Sequence, residues 1–434
     1  MIRHRHHPFF RGIALLTLAA FLSACATTRL PPISAAGGGF QPEPDEIELW
    51  EDARAEESIL LEKVATYEDE ELDEYLAAIV ERLNPPGMAA NPELEYQVRV
   101  VEDPSLNAFA YPHGSLYVHT GLLARVENED QLATVLAHEM THVENRHMLR
   151  YRRGVQNREI ALGAVAIAAS IWAASESWDE VTHGHWGKAA AIDIFSELVI
   201  GLGLELAMLA SVNGYGRDLE NEADQGGFAK LGAAGYDLSQ APRVYEILQD
   251  DHGDESQLEV FFFGSHPNLE SRVASAKTWL GQHPGSPAAP KIAEGQAFAR
   301  KMRPVLRADA RLNIEAGRLH IAEDELRRAA AIGPPDAGVF YLQAMLHLAR
   351  AEEGPENRAG LRAQARRELD QAVELDAKNA EYWGALGHLA HQEKDYRRAC
   401  RAFENYLELD SDAEDAVEVQ DLVKDLRSGQ ERCP

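Results

Sequence analysis

The chain of 434 residues has only three cysteines, Cys25, Cys400 and Cys433. So few exclude a disulfide scaffold and a zinc ribbon built on thiolates. Basic charge is also scarce: 42 Lys+Arg stand against 71 Asp+Glu, for a formal net charge of −29. A chain this acidic repels a phosphate backbone, so no nucleic-acid partner is expected. Apolar runs long and clean enough to span a bilayer are missing too. Residues 161–175 are uncharged but too short, and residues 189–212 carry Asp193, Glu197 and Glu205. Both are expected to be buried helices, joined by an exposed polar loop that contains His183 and His185. What remains, 45% hydrophobic and 26% charged, suits a folded protein of two or three domains.

The N-terminus reads as an address. Arg3, Arg5 and Arg11 precede the apolar run Ile13 to Leu22, and Ser23-Ala24-Cys25 follows. This is the layout of a secretory signal. Leu22-Ser23-Ala24-Cys25 resembles a bacterial lipobox, which implies a signal peptide over 1–24 and a lipid on Cys25. Ala26, rather than Asp, follows the cysteine. The expected location is therefore the periplasmic face of the outer membrane, held by a lipid anchor. Residues 25–46, rich in Ala, Gly, Pro and Thr, read as a flexible tether. Cys400 and Cys433 would lie in an oxidising compartment, where pairing is open to them.

Residues 47–83 alternate charged and apolar positions at helical spacing up to Asn84-Pro85-Pro86-Gly87. Tyr96 to Val101 is β-like. Asn107 to Tyr111 and Ser115 to His119 flank a Pro/Gly turn and predict a hairpin. A helix from about 130 to 150 follows. Residues 284–302 are rich in Pro and Gly and predict a linker, and residues 303–434 are helical in pattern throughout. The fold class expected is mainly α: an α+β domain over 47–283 with a small sheet, then an all-α repeat domain.

The chemistry is concentrated in His138-Glu139-Met140-Thr141-His142. On a helix, positions i and i+4 share a face, so His138 and His142 can grip one metal with the Glu139 carboxylate beside them. A catalytic zinc needs a third protein ligand. A metzincin would place a glycine and a histidine where Asn145 and Met148 stand, so that reading fails. His147 is out of helical step and reads as a surface or helix-end residue. The segment Arg217-Asp218-Leu219-Glu220-Asn221-Glu222-Ala223-Asp224 is the candidate source of the third ligand. Glu220 and Asp224 are spaced to face the first helix together, one for the metal and one to orient a ligand histidine. Asp218 and Glu222 suit a solvated face, and His113 and His119 read as structural.

Taken together, Asn107-Ala108-Phe109-Ala110, the glycine turn, Thr120-Gly121-Leu122-Leu123, the His138–His142 motif and the Arg217–Asp224 pattern resemble metallopeptidase family 48. The resemblance covers about residues 50–280. It implies a gluzincin fold, one Zn2+ per chain, Glu220 as third ligand, Asp224 as its supporting carboxylate and Glu139 as general base, with Arg217 in support. His266-Pro267 followed by Arg272 resembles the family's His-Pro…Arg segment. That implies a second supporting arginine, and in His266 a group able to occupy the open metal position and keep the enzyme latent. By the same analogy Asn107, Ala108, Phe109 and Ala110 form an edge strand that pairs with extended substrate backbone.

Beyond residue 303, Trp383, Leu386, Gly387, Ala399 and Phe403 fall at tetratricopeptide spacings. Ala322, Leu326, Ala329 and Pro334 mark an earlier unit, and Ala365, Leu369 and Ala372 a middle one. Three repeats at about 303–336, 337–379 and 380–413 are expected, with a capping helix over 414–428. A protease joined to such repeats resembles the periplasmic branch of the family. This implies cleavage of unfolded or stalled outer-membrane proteins, with the repeats holding clients or the assembly machinery. The competing reading is a scaffold with a largely latent metal site.

Overall fold

The computed structural model describes residues 30–89, 94–154, 204–208, 215–250, 269–282, 292–354, 357–413 and 415–428. The signal segment with Cys25, most of 161–212 with His183 and His185, His266 and Cys433 lie outside the described residues. The chain divides into two compact units, Met1–Lys291 and Ile292–Pro434.

In the first unit, α1 (Pro44–Leu61) starts on a capping box between Glu43 and Glu46, with Pro44 at the first helical position. α2 (Glu70–Leu83) is capped by Asp69, whose side chain accepts from Leu72 N, and buries the stripe Leu72, Leu76, Ile79, Val80 and Leu83. The helical pattern over 47–83 is thus two helices. They part because Thr66 bridges to Val101, and Tyr67 N bonds Val100 O at 3.0 Å, tying the intervening chain to a strand.

The sheet has three strands: β1 (Gln97–Val101), β2 (Ala108–Ala110) and β3 (Ser115–His119), in the order β1-β3-β2. β3 is parallel to β1 and forms an antiparallel hairpin with β2. Phe109 stacks on Tyr117 across that pair, centroids 4.8 Å apart and 8° between planes, in a core with Leu49, Ala53, Leu60 and Tyr111. Among the described residues β2 is an edge strand.

α3 (Thr120–Arg125) leads into α4 (Glu129–Glu144), capped by the Asn128 side chain on Gln131 N and buried at every residue from Gln131 onward. The continuous helix expected to residue 150 is interrupted. Arg146 takes φ 58°, and helical turns resume over 147–154. A left-handed arginine is strained. It is held by a buried ion pair, with Arg146 Nε donating to Glu46 Oε1 at 2.8 Å. α5 (Arg217–Ala234), α6 (Ala241–Asp250) and α7 (Leu269–Gln282) complete the unit, and α5 packs lengthwise on α4. Two glycines permit that approach. A Cβ at Gly227 would lie 3.3 Å from His138 N, and one at Gly226 would lie 2.5 Å from Thr141 Cγ2.

Residues 30–46 do not behave as the flexible tether their composition predicted. Ile33 is 1% exposed in a single helical turn, Ile33–Ala36. Ser34 Oγ donates to Glu144 Oε1, Glu43 and Asp45 pair with Arg153, and Glu46 pairs with Arg146. Acids in a low-complexity segment have found arginines about a hundred residues away, which composition does not reveal.

The second unit is helical throughout its described residues. α8 (Ile292–Glu315) pairs with α9 (Leu319–Ala331), α10 (Ala337–Glu353) with α11 (Arg358–Leu375), and α12 (Ala380–Gln392) with α13 (Tyr396–Leu409), before a last helix α14 (Ala416–Ser428). The linker expected over 284–302 is therefore too long. α8 begins inside it, because Phe298, Met302, Val305 and Leu306 form a buried helical stripe. Side-chain caps from Asp336, Asn379 and Asp395 start α10, α12 and α13. Gly387 lies against the Phe403 ring, where a Cβ would come within 2.5 Å of Cδ1. Cys400 is fully buried and disulfide-bonded. Among the described residues no helix is long and apolar enough to cross a membrane.

Candidate metal centre

One helical turn separates His138 and His142 on α4, and their Nε2 atoms converge to 3.0 Å. α5 brings Glu220 against them. Its Oε2 lies 3.4 Å from His138 Nε2 and its Oε1 3.6 Å from His142 Nε2. Ligand atoms bonded at about 2.05 Å to a tetrahedral zinc stand about 3.3 Å apart. The contacts between donors are close to that spacing, with one ligand atom from each residue lying within 4.8 Å of the others, and two imidazoles with one carboxylate suit zinc by donor chemistry. All three residues are buried, and they are the one group of this kind found among the described residues.

The His138 ring is fixed through its other nitrogen. Nδ1 lies 2.9 Å from Asp224 Oδ1. Arg272 grips the same carboxylate twice, Nε to Oδ2 at 3.0 Å and Nη2 to Oδ1 at 2.6 Å, and Tyr245 Oη donates to Oδ1 at 2.8 Å. Arg272 Nη2 also approaches His138 Nδ1 at 3.1 Å. Two N–H groups cannot donate to each other, so Asp224 is the acceptor for both. Burial alone would raise the Asp224 pKa, but the Arg272 cation and the His138 hydrogen bond hold it well below the usual carboxylate range. For His138, burial and Arg272 disfavour the charged ring, yet Asp224 and Glu220 prevail and raise its pKa to about 9 without a metal. Glu139 is 2% exposed, and burial pushes its carboxyl up to about 8.

The His142 ring stacks on Tyr215, centroids 4.4 Å apart and 24° between planes. Its Nδ1 lies 2.9 Å from His147 Nδ1. His147 is thus no surface histidine: it is 0% exposed, and burial pushes its pKa down. Behind the metal-facing side of α4, Lys230 of α5 donates to Glu144 and, at 3.0 Å, to Thr141 Oγ1.

Of the residues singled out from sequence, His138, Glu139, His142, Glu220, Asp224 and Arg272 come together here. Arg217 does not. It is exposed at the start of α5 and makes no hydrogen bond or ion pair among the described residues. Asn107, Ala108, Phe109 and Ala110 lie in or beside β2 and are buried, and among the described residues neither polar atom of the Asn107 amide has a hydrogen-bond partner. His113 bonds Glu57 Oε2 at 2.8 Å and His119 bonds Ser105 Oγ at 2.7 Å, away from the donor triangle. Glu222, read as solvated, is half-exposed and clasps Arg150 with both oxygens. Sequence reasoning missed Tyr245, Tyr215 and the Lys230–Glu144 pair, which no local spacing links to the motif. It passed over His147 because i+5 is out of phase on a regular helix.

Residues 70–280 match Peptidase family M48. A Vibrio cholerae protein bearing the beta-barrel assembly-enhancing protease name is 27% identical over 283 residues, which is 64% of this chain and 52% of the relative. The Beta-barrel assembly-enhancing protease of Escherichia coli K12 is 30% identical over 183 residues, 42% of this chain and 34% of the relative. The Mitochondrial metalloendopeptidase OMA1 of Schizosaccharomyces pombe is 25% identical over 209 residues, 48% of this chain and 52% of the relative. The chain spans about half the length of the first and third of these, and about a third of the second. Through residues 70–280, which hold the whole donor triangle and the Asp224–Arg272 clasp behind it, the chain belongs to peptidase family M48.

Proposed function

We propose that the protein is a zinc-dependent endopeptidase, lipid-anchored in the periplasm through Cys25, that cleaves unfolded or misassembled outer-membrane proteins. The observation that carries the enzymatic part is the buried cluster of His138 and His142 on α4, which also carries Glu139, with Glu220 brought against them by α5. Zinc held there would supply Lewis acidity toward the scissile carbonyl. Glu139 takes a proton from the attacking water and delivers it to the leaving amine. Asp224, clamped by Arg272, keeps His138 in the tautomer that leaves Nε2 free to coordinate. By the family resemblance an extended peptide would pair with β2 once its covering is displaced, since Asn107 to Ala110 are buried in this closed site and, among the described residues, the Asn107 amide has no hydrogen-bond partner.

The periplasmic and outer-membrane parts rest on the lipobox and on relatives named for beta-barrel assembly. α8 to α13 are read as three tetratricopeptide repeats that hold clients or assembly partners. A groove of about 480 Å³, lined by Tyr341, Met345, Leu348, Ala385, His388 and Tyr406, is suited to that task. His266 is proposed as a latency switch.

The test is bound metal and cleavage of an unfolded protein by the mature chain, in wild type, Glu139→Gln and His266→Ala. One zinc per chain, cleavage abolished in Glu139→Gln and raised in His266→Ala, is the expected result. Cleavage unchanged by Glu139→Gln sinks the catalytic assignment. One observation favours the scaffold alternative: His138, Glu139, His142 and Glu220 are each no more than 3% exposed, a closed resting site. Cellular function that survives Glu139→Gln would support it.

A further inference from the structure

Both ligand imidazoles must present an unprotonated Nε2 to a metal, so each must carry its proton on Nδ1 and needs an acceptor there. For His138 that acceptor is Asp224, at 2.9 Å. For His142 the group facing Nδ1 is the Nδ1 of His147, at 2.9 Å, with the two rings nearly perpendicular, 82° between planes. Only a lone pair on His147 Nδ1 can receive the His142 proton, which places the His147 proton on Nε2. That nitrogen points toward Glu222 Oε2 at 3.5 Å, and Glu222 is itself fixed by both guanidinium nitrogens of Arg150, at 2.5 and 3.0 Å. The His142–His147 contact is thus a hydrogen bond from the first ring to the second, while His147 Nε2, at 3.5 Å from Glu222 Oε2, is near that carboxylate without making a hydrogen bond to it.

The backbone is bent to make this possible. On an unbroken helix a residue five positions after His142 would be rotated about 140° from it. The turn at Asn145 and the left-handed Arg146, φ 58°, swing His147 back toward α4. The buried Arg146–Glu46 pair holds that turn. His147 is 0% exposed and its ring also lies 6.0 Å from that of Tyr215, so its position is confined on several sides.

We infer that His147 is a positioning residue for the metal site: it accepts the Nδ1 proton of His142 and so fixes the tautomer and ring orientation with which His142 coordinates. This rests on the metal reading given above. The role requires an acceptor at the δ position of residue 147 and nothing else of the imidazole. Asparagine places its carbonyl oxygen at that position, glutamine places its own one bond farther out, and leucine has none.

The experiment is zinc affinity of the full mature chain, measured by competition with a chromogenic chelator, for wild type, His147→Asn, His147→Gln and His147→Leu. Cobalt-substituted visible spectra report ligand geometry in parallel. Loss of a partner of this kind lowers metal affinity on the order of 10- to 100-fold. That loss is expected for Gln and Leu, with an altered cobalt spectrum, while Asn stays within about threefold of wild type. If Leu does not fold, the Asn and Gln pair, close in polarity and differing in where the oxygen sits, decides alone. Wild type that binds zinc while Gln and Asn bind it equally well, or equally poorly, overturns the role of His147 and leaves the metal reading standing. Wild type that binds no zinc overturns both.

Discussion

Lys230→Met is the perturbation whose consequence follows most directly from the packing of α4 on α5. The Lys230 side chain is 8% exposed and that of Glu144 is 11% exposed, and they form an ion pair. Burial pulls the lysine pKa down, and Glu144 opposes that pull. Removing the cation leaves Glu144 with the Ser34 hydroxyl and a buried, uncompensated charge. Breaking a buried pair from one side costs about 3–5 kcal/mol, whereas replacing both partners by apolar groups of similar volume is often neutral. Lys230→Met should therefore destabilise the protease unit by about 4 kcal/mol. Lys230→Met with Glu144→Leu should recover most of it, to within about 1.5 kcal/mol of wild type. Urea unfolding followed by tryptophan fluorescence, with the slope checked for constancy, measures both. The zinc content of the double variant then tells whether the pair also sets the spacing of Glu220 from the histidines. A single variant costing under about 1 kcal/mol, or a double variant costing the sum of its singles, would refute the reasoning.

Glu57 titrates at about 2. Burial alone would raise it, but His113 and Tyr117, whose hydroxyl donates at 2.5 Å, outweigh burial. A depressed carboxylate contributes stability above its unfolded pKa of about 4.5 and loses it as pH falls toward 2, so Glu57→Gln should be less stable by about 3 kcal/mol at pH 7. The two curves should converge near pH 2, and a gap independent of pH would count against the assignment. Arg272→Leu strips Asp224 of its two guanidinium bonds. Zinc affinity by chelator competition should fall roughly 10- to 100-fold, while Arg217→Leu, on an exposed residue, should leave it unchanged. A chain begun at residue 47 loses Glu46, the buried partner of Arg146, together with Ile33 and Ser34. Its thermal midpoint should lie clearly below that of a chain begun at residue 26, and equal midpoints would return the segment to the status of a tether.

Much of the site was legible because its chemistry is local. His138, Glu139 and His142 share a face at i, i+1 and i+4, and Glu220 and Asp224 repeat that spacing on a second helix, so periodicity alone puts each set together. The hairpin of β2 and β3 was legible for the same reason, from a Pro/Gly turn between two short apolar runs. The breaks were not. The pattern over 47–83 continues across a gap that exists because Thr66 and Tyr67 are captured by β1. The helix expected to reach 150 stops at Glu144 because Arg146 is drawn to Glu46.

What the sequence determined by itself is therefore the set of candidate metal-binding groups and the helices that carry them, since an α-helix converts spacing into direction without reference to the rest of the chain. Only the tertiary structure decided what stands behind them: Arg272 and Tyr245 on Asp224, His147 on His142, Lys230 and Ser34 on Glu144. Those partners come from segments up to 110 residues apart, and from a backbone turn that breaks helical phase. They are chosen by burial, where each unsatisfied polar group costs free energy until another segment supplies its complement.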